Sequence, residues 1–345
     1  MRSKKGARCF FLPGVCAVLL FSAACSPQNT ARARTQFLLG TVCSISLYDS
    51  PSDDIFRKAF DRVHEIELMM SVTIEGSDIS RVNAAAGLHP VEAADETLEL
   101  VRSGLEFSRL SGGAFNIAVG PLVTLWGIGT ERAAVPAQKD IAAALQNIDY
   151  NKVNVDEAAR TVFLREAGMA LDLGAIAKGY AADEAARVLR EAGIRRGIID
   201  FGGNILLLGT RPDETDWKVG IQSPGSPRGE FLGVLAAREA AVVSSGVYER
   251  FFTGEDGRHY HHILDTSTGR PVENGLAAVT VVTGSSRAAD ALSTTLFALG
   301  LSAGMELAEK TAGVEALFVT EDKKVYATSG MREIFRLTDE AYTLE

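Results

Sequence analysis

Residues 171–208 read LDLGAIAKGYAADEAARVLREAGIRRGIIDFGGNILLL, and this stretch decides the fold class. From Ile176 to Glu191 apolar residues recur at helical spacing, and Gly193 closes the run, which predicts a helix. Strand-like runs follow at once: Gly197 to Ile199, Ile205 to Leu208, Trp217 to Ile221 and Ala240 to Ser244. A doubly wound sheet needs a helix between successive strands, and none fits here. The pattern therefore predicts an α+β architecture, with mixed sheets flanked by helices.

The two flanks agree. Upstream, Thr41 to Tyr48 alternates as a strand does, and Asp54 to Met70 places Ile55, Phe56, Phe60, Val63, Ile66 and Met70 at helical spacing. Further helices are expected from Glu96 to Leu110, ending at Gly112-Gly113, and from Lys139 to Gln146. Downstream come a strand at Ala277 to Val282, helices at Arg287 to Leu299 and Met305 to Thr311, and closing strands at Val314 to Thr320 and Lys324 to Ala327. No repeat or low-complexity linker divides the chain, so residues 37–345 are expected to form one domain.

The N-terminus has a different character. Arg2, Lys4, Lys5 and Arg8 precede a short apolar run, Phe10 to Phe21, and Ser22-Ala23-Ala24 leads to Cys25. The run is too short to span a bilayer comfortably. This is the layout of a secretory signal over residues 1–24, with lipidation at Cys25. Ser22 stands where such signals usually carry Leu, so the alternative is ordinary cleavage nearby with Cys25 unmodified. Residues 25–36 are expected to be a polar tether, holding an exported domain on the periplasmic face of a bacterial membrane. Cys9 and Cys16 fall in the signal, which leaves Cys43 without a disulfide partner, and stability must come from the core. Apolar residues make up 46% of the chain, enough for one. The formal charge of −9 becomes −13 when the four leader cations are removed. An acidic chain without basic runs excludes nucleic acid as a partner, so any phosphate must be met by a local site.

Four segments carry the chemistry. Leu171 to Gly179 joins an apolar segment to a helix, whose first-turn N–H groups suit an anion and whose Lys178 adds a point charge. A tight loop with a surface lysine explains the same residues. Asp200-Phe201-Gly202-Gly203-Asn204 contains a kinase-like D-F-G, but no Gly-rich loop or H-R-D segment accompanies it, and a β-turn accounts for it. His259, His261 and His262 cluster before Ile263-Leu264-Asp265. A histidine here suits a general base near neutral pH, and neighbours on a strand face opposite ways, so only one of His261 and His262 serves a given site. Zinc is disfavoured, with no cysteine partner and no helical H-x-x-x-H spacing. Asp290 and Thr294 lie one helical turn apart, and a carboxylate and a hydroxyl there reach a hard cation, with Ser293 beside them. The alternative is an Asp complementing its own helix dipole and a Thr turned back to the backbone.

Taken in order with Phe37 to Thr41, Met70-Ser71, Ser77 to Asn83, Gly113-Ala114-Phe115-Asn116, Gly120-Pro121-Leu122 and Ser244-Ser245-Gly246, these segments resemble the FAD:protein FMN transferase family, also called the ApbE family. The resemblance implies a single domain that takes FAD as substrate with Mg²⁺ and attaches FMN through a phosphoester to a threonine of another protein, releasing AMP. It places the metal on Asp290, Thr294 and the carbonyl of Ala175, with Ser293 in or near the shell. It places the dinucleotide against Leu39, Ala114, Phe115, Asn116, Asp172, Lys178 and the backbone of Leu264, and it makes His262 the base. The implied acceptor is an exported or membrane-embedded flavoprotein, such as a subunit of an ion-pumping NADH:quinone oxidoreductase or an Rnf-type complex. Four positions depart from the usual pattern: Leu39 replaces Met, Asn116 replaces Asp, Thr73 replaces an aromatic residue and Thr266 replaces Pro. Hydrolysis of FAD to free FMN and AMP, and flavin storage without turnover, are the competing readings.

Overall fold

The computed structural model describes residues 30–345, and residues 31–345 form one compact unit. The signal, Cys25 and the first part of the expected tether lie outside the described residues. The chain opens with the hairpin β1 (Arg32–Leu38) and β2 (Thr41–Leu47), then α1 (Asp53–Met70), α2 (Asp78–Ala84), β3 (Val91–Glu92), α3 (Asp95–Leu110), α4 (Gly120–Trp126) and α5 (Gln138–Leu145). There follow β4 (Val153–Asp156), β5 (Thr161–Leu164), α6 (Ala177–Glu191), β6 (Gly197–Phe201), β7 (Asn204–Leu208), β8 (Trp217–Gln222), β9 (Phe231–Ala237) and β10 (Ala241–Gly246). The remainder is β11 (Phe251–Thr253), β12 (His259–His261), β13 (Leu276–Thr283), α7 (Ser286–Lys310), β14 (Glu315–Thr320), β15 (Lys324–Ala327), α8 (Met331–Ile334), β16 (Phe335–Leu337) and β17 (Thr343–Leu344).

Nine strands form the central sheet in the order β1-β2-β6-β7-β10-β13-β14-β15-β17, and its pairings are antiparallel except β15 with β17. This is the expected α+β arrangement. Side chains alternate across the sheet. On β13, Val279 and Val281 enter the large core that also takes Phe56, Phe60 and Ile66 of α1, Ala185 and Leu189 of α6, and Leu296 and Phe297 of α7. Their neighbours Ala278 and Val282 enter a second core with Trp217, Leu235 and Phe335, beneath the small sheet β16-β9-β8. A third cluster joins Leu122 and Trp126 of α4, Ile141 of α5, Tyr260 and Leu264.

The tether ends earlier than expected. Residues 32–36 pair in register with β2, Arg32 opposite Leu47 and Gln36 opposite Cys43. Their polar composition looks like a linker because β1 is the sheet's edge and the strand is solvent-exposed up to Leu38. Backbone pairing, reinforced by Arg32 and Arg34 on Asp53 at 3.0 and 2.6 Å, holds it in place. Cys43 is fully buried, and that burial pushes its thiol pKa up to about 12.

The two helices expected after residue 286 form one element broken at Gly300, which has φ +79° and ψ 175°. Asn274 Nδ2 donates to the Phe297 carbonyl at 2.7 Å, satisfying an acceptor beside that break. The short strands β3–β5 and the helices α2 and α4 have too few residues for a periodic signal and were not anticipated.

Candidate active site

The floor of the site is made where α6 meets α7. Asp290 is 4% exposed, and its Oδ2 accepts the backbone N–H of Gly179 at 2.9 Å. The first turn of α6 was expected to suit a ligand anion; in the structure one of its N–H groups is taken by the protein's own Asp290 carboxylate. Asp290 thus complements a helix N-terminus, but that of α6 rather than its own. Gly179 is required for this, because a Cβ there would run into the backbone of Ser286 and Arg287. Its lack of a side chain admits α7. Lys178 Nζ lies 3.3 Å from Asp290 Oδ1 and donates to the Gly174 carbonyl at 3.0 Å, bridging α7 to the turn that carries Ala175.

The β10 strand reaches the same floor. Alternation sends Val242 to the second core and Val243 to the first, so Ser245 points at α7. Its Oγ lies 2.8 Å from Ser293 Oγ and 3.3 Å from Thr294 Oγ1. Ser293 is fully buried and also donates to the Asp290 carbonyl at 2.9 Å, whereas Thr294 turns towards Ser245. Among the described residues no three His, Cys, Asp or Glu side chains gather in a metal-binding group. The donors around Asp290 are instead one carboxylate, hydroxyls and turn carbonyls. An all-oxygen set with a single carboxylate fits a hard cation that keeps waters and phosphate oxygens as further ligands. The Lys178 ammonium marks the place where the donors already accommodate positive charge.

Asp172 stands on the approach to α6. Its backbone N–H donates to the Ile117 carbonyl at 2.8 Å, tying it to the Ala114–Asn116 segment, and its Oδ1 accepts from Gly174 N–H at 2.7 Å. Burial raises its pKa, opposed by that hydrogen bond and by the charges of Lys178 and Arg250. Asn116 is a brace: Nδ2 donates to the Ile148 carbonyl at 2.6 Å and Oδ1 accepts from Ala118 N–H at 2.9 Å. An aspartate could not make the first bond. Phe115 is buried against Phe107 in the large core, with Ala114 beside it half-buried. Leu39 sits in the two-residue turn of the first hairpin at φ +54°, followed by Gly40 at φ +66°. Its N–H is held by Glu67 Oε1 at 2.7 Å, which sustains a left-handed conformation costly for leucine.

The rim is formed by residues 262–271. His261 is 7% exposed and faces inward, Nε2 donating to the Val272 carbonyl at 3.0 Å and the ring edge-on to Phe297. His262 comes one residue after the end of β12, in a bend, and has different partners. Its N–H and its Nδ1 both donate to the Arg250 carbonyl, at 3.1 and 3.2 Å. With Nδ1 protonated, Nε2 keeps its lone pair. Desolvation, then the charge of Arg250, lowers the His262 pKa to about 4, so the ring is neutral at physiological pH. Leu264 is buried in the third cluster and bridges to Pro271. Thr266 Oγ1 donates to the Gly113 carbonyl at 2.7 Å, a bond no proline makes, and so clasps the rim to the Ala114–Asn116 segment.

Asp290, Lys178, Thr294 and the Ala175 turn are therefore brought together directly, and Asp172, Asn116 and His262 join them through backbone ties and shared electrostatics. Leu39 belongs to a separate hairpin anchored on α1. Two contributors were missed as site residues. Ser245 was visible only as part of a motif, and Arg250 carried no pattern at all. The Asp200–Asn204 segment is a hairpin turn in which Gly202, at φ +65°, leaves room for Thr41.

Comparison with known proteins places the arrangement. Residues 39–318 match the model of the ApbE family. The chain is 36% identical to an FAD:protein FMN transferase of Treponema pallidum over 91% of both chains. It is 35% identical to one of Klebsiella pneumoniae, covering 91% of this chain and 97% of the relative. The crystal structure of an ApbE protein from Thermotoga maritima superposes with a TM-score of 0.82 at 29% identity, covering 89% of this chain and all of the other. The flavin transferase ApbE of Vibrio cholerae gives 0.77 at 27% identity, with 88% and 99% covered.

Proposed function

The chain belongs to the ApbE family, and from that membership we propose how, as an FAD:protein FMN transferase, it performs its reaction. The observation that carries the proposal is a neutral histidine with a free Nε2 within electrostatic reach of Lys178, which is tied to the carboxylate of the oxygen floor. FAD lies with its pyrophosphate over Lys178 and its flavin half towards the Ala114–Asn116 segment. An acceptor threonine approaches from the His262 side. His262 Nε2 takes the hydroxyl proton as the Thr Oγ–P bond to the FMN phosphorus forms and the bond from that phosphorus to the bridging oxygen breaks. AMP leaves with the bridging oxygen. A base of this kind contributes roughly 10²–10⁴ in rate.

Magnesium bound by Asp290, Thr294 and the Ala175 carbonyl, with Ser293 supporting from behind, would neutralise charge on the phosphoryl oxygens. Ser245 orients the two hydroxyls, and Lys178 is the residue that must yield or share Asp290 when the metal enters. Thr73 is exposed where an aromatic side chain is usual, and we propose that this loosens the flavin or admits water.

The test is incubation with FAD, Mg²⁺ and a threonine-bearing segment of an exported flavoprotein, reading AMP release together with flavin fluorescence in the denatured acceptor. AMP release without a fluorescent acceptor would reduce the activity to hydrolysis, and neither signal would defeat the reading. We propose further that residues 1–24 are a signal, that Cys25 is lipidated and that the domain faces the periplasm. Mass spectrometry of the mature N-terminus in membrane extracts decides this, an unmodified end being the contrary result. With β1 beginning at Arg32, the proposed tether ends before that residue.

A further inference from the structure

We propose that Arg250 is a dinucleotide-binding residue, its guanidinium holding the phosphates of FAD on the His262 side of the site, opposite Lys178. The inference rests on the transferase reading above and adds a contact to it. Arg250 follows β10 in the turn before β11, and its backbone carbonyl receives both hydrogen bonds of His262. Base and arginine are therefore fixed to one another. The side chain runs past the turn at Gly129, where a Cβ would stand 3.7 Å from Arg250 Cδ. Its charge is felt by both Asp172 and His262, so it lies within electrostatic reach of each.

The guanidinium is exposed and makes no hydrogen bond or ion pair among the described residues, although many surface arginines of this chain are paired, such as Arg57, Arg102 and Arg187. The guanidinium beside His262 disfavours only the protonated ring and leaves its own donors without a partner among the described residues. The arrangement is explained when an anion completes the set. The pyrophosphate is that anion: its two charges need cations on both flanks, and a planar fork suits two phosphate oxygens better than a point charge. Lys178 serves the metal side; Arg250 serves the side from which the nucleophile arrives.

Arg250→Ala and Arg250→Lys test this in the full chain with Mg²⁺, because both keep the carbonyl that orients His262. Binding of FAD is compared with binding of riboflavin, which lacks phosphates. The alanine variant is expected to weaken FAD binding and raise its KM roughly 10–100-fold, to leave riboflavin within about twofold, and to be partly rescued by lysine. The charged and titratable groups acting on His262 are the cations Arg250 and Lys178 and the buried His261. Removing the first should also move the acid limb of kcat/KM to higher pH. FAD affinity unchanged within twofold, or an equal loss for FAD and riboflavin, overturns the proposal. If the wild type shows no FAD cleavage, the reaction itself fails, whereas the FAD-to-riboflavin ratio still reads Arg250.

Discussion

The floor and the rim of the site are built to different standards. The floor groups are cross-tied: Asp290 to both Lys178 and Gly179 of α6, Ser293 to its own helix and β10, Lys178 to α7 and the Gly174 turn. All of these sit on the large core. The rim's His262 hangs from a single carbonyl, that of Arg250, over a small cluster centred on Trp126 and Leu264. Trp126 Nε1 donating to the Gly269 carbonyl at 2.7 Å, and Thr266 to Gly113, are its main ties. Where a cation and a pyrophosphate must be bound in one geometry, preorganisation is supplied by the core. Where a protein substrate must enter, the scaffold is lighter, and changes there should cost activity without costing the fold.

The largest effect is expected from Asp290→Ala. It deletes the only carboxylate of the floor, leaves Lys178 with the Gly174 carbonyl alone and leaves the Gly179 N–H unpaired. FAD cleavage should fall at least ~10³-fold, and stability by roughly 1–3 kcal/mol. Asp290→Asn, which keeps the shape, should separate the two losses when AMP release is measured beside a urea titration. Wild-type AMP release from Asp290→Ala would dissolve the distinction between floor and rim.

Next comes His262→Ala, with transfer to protein down roughly 10²–10⁴-fold while the urea midpoint barely moves. Its neighbour should behave in the reverse manner. His261→Ala opens a cavity beside Phe297 and orphans the Val272 carbonyl, which should cost about 2–4 kcal/mol with transfer kept within a few-fold in the folded fraction. Equal losses of transfer from the two variants would mean that the backbone does not separate them.

The smallest effect is the pH dependence. Because the His262 pKa lies near 4, below the usual 6.5, the base is unprotonated throughout the neutral range. For the free enzyme, kcat/KM should show no histidine limb between pH 6 and 8 and should lose about half its value near pH 4. The sign for stability agrees. The unfolded chain binds this proton more readily, so the contribution is complete above pH 6.5 and is lost as pH falls through 4. An inflection near 6.5 would place His262 in water rather than on a desolvated rim.

Much of the frame was legible before any coordinates. The helices α1, α3, α5 and α6 and the strands β6, β7, β8, β10, β13 and β14 are long or apolar enough for periodicity to find, and their expected ends fall within a few residues of those seen. Arg32–Gln36 escaped because an exposed edge strand has a linker's composition. Strand alternation was expected to separate the two histidines, but β12 ends at His261 and His262 lies in the bend after it; their partners differ, Val272 and Phe297 for His261 and the Arg250 carbonyl for His262.

What the sequence by itself determined, then, was the α+β class, the main elements and the family to which their ordered motifs point. These are matters of short-range periodicity and composition. Only the tertiary structure decided that Asp290 caps α6 across 111 residues, that Ser245 stands against Ser293 and Thr294, that Asn116 braces Ile148 and that Arg250 carries His262. Those contacts arise where helices cross and strands end, and the identity of a residue does not encode which distant group the folded chain will bring within hydrogen-bonding distance of it.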